Sequence, residues 1–140
     1  MAIASASPGA GPRAGRLIHI GLWVVQALLA ALFALTGYMK VTLPPAEFAQ
    51  LQTLPLALVR FIGIAELAGA LGLILPAATR ILAWLTPLAA VGLLTVMVLA
   101  TGFHIVRGEW QFALFTLALG LLAAFVAWGR YRRVPIAPRG

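Results

Sequence analysis

This sequence predicts an all-α integral membrane protein, a bundle of four transmembrane helices with a short interfacial helix between the first and second. Three observations predict it. Of 140 residues, 63% are hydrophobic and 9% are charged, whereas soluble domains carry about 25% charged residues. Apolar runs recur four times, each near the roughly 20 residues that cross ~30 Å of hydrocarbon. The basic residues gather mainly in the two tails and between those runs. A soluble domain of this size buries only about 68–70% of its extended surface, so lipid must cover the remainder.

The elements follow in order. Residues 1–15 are rich in Ala, Ser, Gly and Pro without an apolar period, which predicts a disordered tail. Arg13 and Arg16 then precede an apolar run over residues 17–41, longer than the roughly 7–15 residues of a secretory signal and without a clear cleavage site after it. It reads as an uncleaved first span. Residues 42–55 are bounded by Pro44, Pro45 and Pro55, and Phe48 and Leu51 at i,i+3 predict one or two turns lying at the membrane surface. Further spans are expected at 56–76, 80–103 and 110–128, within a transmembrane domain of residues 16–129 followed by a basic tail, 130–140. Backbone groups in lipid must be bonded internally, and no barrel-like alternation occurs, so the spans are helices. Pro87 inside the third is expected to kink it and free the Ala83 carbonyl.

Four spans put both tails on one side. That side collects Arg13, Arg16, Arg80, Arg130, Arg132, Arg133 and Arg139, against Lys40, Arg60 and Arg107 on the other. The positive-inside rule places the richer side in the cytoplasm of a bacterial inner membrane. The cluster Arg130, Arg132 and Arg133 reads as a stop-transfer flank with generic attraction for anionic lipid. The formal charge of +7 therefore orients the chain, and nucleic acid is not an expected partner. Cys is absent, which excludes disulfides, thiol catalysis and Cys-ligated clusters. There is no HExxH and no Ser-His-Asp pattern, and no metal site is expected.

The polar residues left inside the spans are few. Lys40 ends the first span, Arg60 begins the second, and Glu66 lies six residues beyond Arg60, roughly 9 Å deeper at 1.5 Å per residue. His104 ends the third span, followed by Arg107 and Glu109. All of them gather in the outer half, and no comparable set is expected in the inner half. An acidic side chain at a helix centre costs roughly 2.5–3.5 kcal/mol, so Glu66 requires a partner: Lys40, Arg60 or Arg107. The pair reads either as a helix lock or as a site at which Glu66 accepts a proton or anchors a ligand. Lys40, Arg60, Tyr38 and His104 complete the candidate ligand set, with Thr36 beside them. His104 reads as a proton relay with Glu66 or as an interfacial residue bonded to a carbonyl. His19 begins the first span across the bilayer from His104, so a bis-His haem within one chain fits poorly. Ala65, Ala68, Gly69 and Gly72 read as a packing stripe.

Three segments carry a resemblance. Gly37-Tyr38-Met39-Lys40 is similar to a Gly-x-x-Lys helix ending. The segment from Gly63 through Glu66, Gly69 and Gly72 to Leu75-Pro76 is similar to Gly-x-x-Glu-x-x-Gly-x-x-Gly followed by Leu-Pro. Thr101-Gly102-Phe103-His104, with the polar loop through Glu109, is similar to a third helix ending in His. In this order and at these depths they resemble the DoxX-like family of small four-helix bacterial membrane proteins. The resemblance covers residues 17–128 and implies a four-helix bundle marked at Lys40, Glu66 and His104. Some members of the wider group are linked to membrane oxidoreductase systems. It thus implies a redox-associated subunit holding a quinone or another lipophilic small molecule, with haem a poorer fit. Oxidoreductase subunits and a second copy of the chain join the bilayer as expected partners. A structural or assembly subunit, and a stand-alone acid–base enzyme such as an isomerase of a lipophilic substrate, stand beside that reading.

Overall fold

The computed structural model describes residues 11–47 and 53–139. Helix α1 spans Pro12–Thr42, α2 Leu56–Thr79, α3 Leu85–Val106 and α4 Trp110–Trp128, and a π-helical turn, Gly129–Arg133, continues α4. All four are long and apolar enough to cross a membrane. Among the described residues there is no strand. The interfacial helix expected around Phe48 and Leu51 falls outside the described residues; residues 45–47 just before them are helical.

Each helix end has a local cause. Pro12 stands at the start of α1, where its missing N–H costs nothing, so α1 begins within the segment expected to be a disordered tail. At its other end the Leu43 N–H closes on the Met39 carbonyl, and Pro44 and Pro45 cannot extend the ladder. Helix α2 runs on past Pro76 and stops where Arg80 turns left-handed, at φ 59°, donating its N–H to the Pro76 carbonyl at 2.9 Å. Leu82 also has positive φ, so residues 80–84 form a turn and α3 starts at Leu85, later than the sequence predicts. Pro87 consequently lies in the first turn of α3, which requires no intrahelical donor from it. The Ala83 carbonyl, expected to be free, is bonded by the Thr86 N–H.

The chain runs up, down, up and down. We call the end holding the start of α1, the α2–α3 turn and residues 129–139 the terminal end, and the other the loop end. Helix α1 packs along α2, α2 against α3 and α3 along α4, while α1 and α4 touch less extensively. The core is a seam of Leu22, Leu29, Phe33, Leu73, Leu93 and Val126. The many exposed Leu, Val and Phe side chains on the outer faces are the surface that lipid solvates.

Glycine sets the closeness of α1 and α2. A methyl group at Gly37 would lie 2.8 Å from the Gly63 carbonyl oxygen, and one at Gly63 would lie 2.8 Å from Lys40 Cβ. Small residues allow this approach, and neither backbone can yield without separating the helices. Gly37→Ala should therefore destabilise the detergent-solubilised bundle by about 1–3 kcal/mol, read as a lower thermal midpoint. Gly92→Ala, which meets nothing within 4 Å, should leave the midpoint unchanged or raise it.

Candidate functional site at the loop end

The close α1–α2 contact brings the last turn of α1 over Glu66. Glu66 is 2% exposed, and Lys40 Nζ donates to both its oxygens, at 2.9 and 2.8 Å. Thr36 Oγ1 adds a third donor to Oε2 at 3.1 Å. A buried carboxylate is tolerable when it is paired and its lone pairs are filled, and here both conditions are met. Of the three candidate partners the structure selects Lys40. Arg60 instead donates to the carbonyls of Lys40 and Leu43. There it satisfies orphan acceptors at the C-terminus of α1, where a cation also complements the helix dipole. Tyr38 is 62% exposed and faces away from this cluster.

His104 is positioned by the way α3 ends. Gly108, at φ 71°, lets its N–H reach the Ile105 carbonyl while the Glu109 N–H reaches that of His104, at 3.0 and 2.9 Å. This double closure is a Schellman motif, which brings the residue two past the cap, Glu109, beside the residue three before that cap, His104. In most such motifs that contact is hydrophobic. Here it is a hydrogen bond of 2.6 Å between His104 Nδ1 and Glu109 Oε2. The carboxylate can only accept, so Nδ1 donates and the neutral ring keeps Nε2 as an acceptor. The ring stacks on Phe112 at 5.4 Å and meets Phe103 edge-on. Arg107 holds the other oxygen of Glu109 at 2.9 Å and reaches Thr53 on the α1–α2 connection.

A cavity of about 520 Å³ lies between these groups, within the usual range of roughly 300–1,000 Å³ for small-molecule sites. Lys40, His104, Arg107 and Glu109 supply its polar wall; Met39, Leu43, Phe103 and Phe112 supply much of the apolar one. Neither Glu66, Arg60 nor Tyr38 lines it. Glu66 lies behind Lys40, whose ammonium has one hydrogen beyond the two given to the carboxylate. The wall thus presents a donor on Lys40 and an acceptor on His104.

A sequence profile of the DoxX-like family matches residues 24–126. The chain belongs to the DoxX-like family. No curated protein and no solved structure matches it. The matched region of this DoxX-like protein contains Lys40, Glu66, His104 and Glu109, and with its four apolar helices the protein is a multi-pass membrane protein.

A second polar set lies at the terminal end, where none was expected. Gln26 is fully buried in α1; its Nε2 donates to the Leu73 carbonyl and its Oε1 accepts from Arg130 Nε, both at 2.6 Å. Arg130 is itself 2% exposed and is therefore folded into the bundle rather than flanking it in a basic tail. Its Nη1 lies 3.0 Å from His19 Nδ1; a guanidinium only donates, so His19 accepts there. The π-turn, with the Val134 N–H on the Gly129 carbonyl at 2.8 Å, directs Arg130 toward α1. Between α3 and α4, Thr101 and Thr116 also share a hydrogen bond of 2.8 Å.

Two outcomes test this geometry. Glu66→Gln strands the Lys40 charge and should cost roughly 2–4 kcal/mol, while Glu66→Leu with Lys40→Met should recover most of that loss, as a double-mutant cycle on thermal midpoints would measure. The second concerns acid. The bond from His104, and then the bond from Arg107, hold the Glu109 carboxyl below its ordinary 4.5. A lowered carboxyl contributes its stabilisation fully above the unfolded value and loses it as pH falls through the folded one. Hydrogen-exchange protection of the Gly108 and Glu109 amides should therefore persist from neutral pH to about 4.5 and fall below it. Glu109→Gln should show no such step.

Proposed function

We propose that this DoxX-like protein is a redox-associated membrane subunit that holds a quinone, or a lipophilic ring compound with similar oxygens, in the loop-end cavity. The observation that carries this reading is that a donor residue, Lys40, and a histidine whose Nδ1 is engaged by Glu109, His104, line one cavity together with Met39, Leu43, Phe103 and Phe112. A quinone carbonyl takes a hydrogen bond from the ammonium. A quinol hydroxyl gives one to the imidazole, whose Nδ1–H on Glu109 keeps Nε2 free to receive it. Phe112 and Phe103 offer faces and edges for an aromatic head. Thr36 and Glu66 hold Lys40 in position, so in this reading Glu66 is a positioning residue and His104 exchanges the proton. The chain has no cysteine, so any thiol-based redox step belongs to a partner oxidoreductase subunit. The excess of arginine at the terminal end supports an orientation with both termini in the cytoplasm of a bacterial inner membrane.

A second reading draws on a specific observation. The Lys40–Glu66 pair is complete within the chain, which fits a subunit that serves assembly and uses the pair only to lock α1 on α2. An isomerase with Glu66 as base is less well supported, since both its oxygens are engaged. Titration of the purified protein with a short-chain benzoquinone separates the first two. On the quinone reading, His104→Phe weakens binding by about tenfold, the value of one hydrogen bond to a polarised group. Lys40→Met made together with Glu66→Gln, which leaves no stranded carboxylate, does the same. Both variants should keep the wild-type melting profile within a few degrees. Saturable binding that neither change affects, or no binding by wild type, transfers support to the assembly reading.

A further inference from the structure

The two ends of the bundle balance their charges differently. The chain has three acidic residues, and all lie at the loop end. Glu66 is bonded to Lys40, Glu109 to His104 and Arg107, and Glu47 follows α1 on that side. The terminal end has seven arginines, and among the described residues no Asp or Glu side chain lies there to meet them. Six are exposed and solvated; Arg130 is not. Its guanidinium is buried with only neutral acceptors: Gln26 Oε1, His19 Nδ1 and, at 3.4 Å, the Val134 carbonyl. Trp23 lies across one face at 5.5 Å. Its Nη2 is buried without any partner, and so is the hydroxyl of Thr86.

A buried cation with an unfilled donor and no internal anion calls for an anion from outside. The chemistry of that anion follows from the donor and its depth. A guanidinium fork matches the oxygens of phosphate. Arg130 follows directly on α4 beside Trp128 at the end of a membrane span, the level at which tryptophan and lipid head groups meet. We infer that the terminal end is a specific site for the phosphate group of an anionic phospholipid, with Arg130 Nη2 as its innermost donor. Residues 134–139 begin at the site, where the Val134 carbonyl lies 3.4 Å from Arg130 Nη1. Their described backbone bonds lie at the ends, Val134 N–H to Gly129 and Arg139 N–H to the Arg80 carbonyl, and Pro135 and Pro138 have no N–H to contribute. Releasing the Arg139–Arg80 bond would free this segment.

The full chain, purified in a nonionic detergent and stripped of lipid, provides the test. Phosphatidylglycerol, phosphatidylcholine and inorganic phosphate are added separately, with lipid retention read by native mass spectrometry and stability by thermal midpoint. The expected result is one tightly retained phosphatidylglycerol and a raised midpoint, with neither effect from phosphatidylcholine. Arg130→Gln should weaken retention by about tenfold, whereas Arg13→Gln with Arg16→Gln, which removes more charge from the same end, should change it less than threefold. If the Arg130 variant does not fold, the comparison of lipids on wild type decides alone. Equal retention of the two phospholipids overturns the proposal, and so does an Arg13/Arg16 loss as large as that of Arg130. A midpoint raised equally by inorganic phosphate overturns the lipid as the source and assigns the site to free phosphate.

Discussion

The carboxylate of Glu66, buried against α1, constrains the whole loop end. A negative charge at this depth is stable only with a cation held at hydrogen-bond distance, and the chain provides that cation from the last turn of α1. For Lys40 to reach it, the two helices must touch backbone to backbone, which Gly37 and Gly63 allow. The end of α1 must also stay helical up to the prolines, and Arg60 secures this by taking the Lys40 and Leu43 carbonyls. One ion pair therefore fixes the spacing of α1 and α2, the end of α1 and the sign of the charge that faces the cavity. The cavity meets an ammonium, and the carboxylate behind it is screened.

The same bundle handles polarity in two ways. At the loop end two cations find a carboxylate within the chain, Lys40 with Glu66 and Arg107 with Glu109, and the His104 ring donates to Glu109 as well. At the terminal end a buried glutamine and a buried arginine join α1 to the π-turn through neutral contacts. Those bonds close the gap between α1 and α4 on that side, where the helices otherwise touch little. At the loop end the corresponding space is left open as the cavity. A bundle closed by hydrogen bonds at one end and hollow at the other has its cavity placed by packing alone.

Much of this was legible in the sequence, and the rest was not for identifiable reasons. Composition and run length give four helices, because lipid leaves the backbone few alternatives. Glu66 announces a partner by its cost, and Lys40 was among the three named. Rotation about the helix axes decides between Lys40, Arg60 and Arg107, and rotation is a property of packing, not of hydropathy. Tyr38 shows the same limit: it is two residues from Lys40 yet turns outward, as a 100° step per residue requires. Pro87 was misplaced because the end of α2 depends on a left-handed Arg80, a conformation that residue type does not signal. Gln26 carries a signal in the sequence, a lone amide inside an apolar run. Arg130 had none, since a run of arginines after a span normally lies in solvent and only the π-turn brings the first of them inside.

On the proposed function, the group that exchanges a proton must be the one with an unfilled valence. Depth alone favours Glu66, the most costly ionisable group in the sequence. Its oxygens, however, already accept from Lys40 and Thr36, and removing the Lys40 contact to protonate it would leave an ammonium without its counter-ion. His104 is less buried and less costly, but the Schellman closure of α3 holds its Nδ1–H on Glu109 and leaves Nε2 without a partner beside the cavity. A site for proton exchange needs an atom that can change its bonding without unfolding its surroundings. On the proposed function that atom is His104 Nε2, and the buried ion pair holds the neighbouring donor, Lys40, in place.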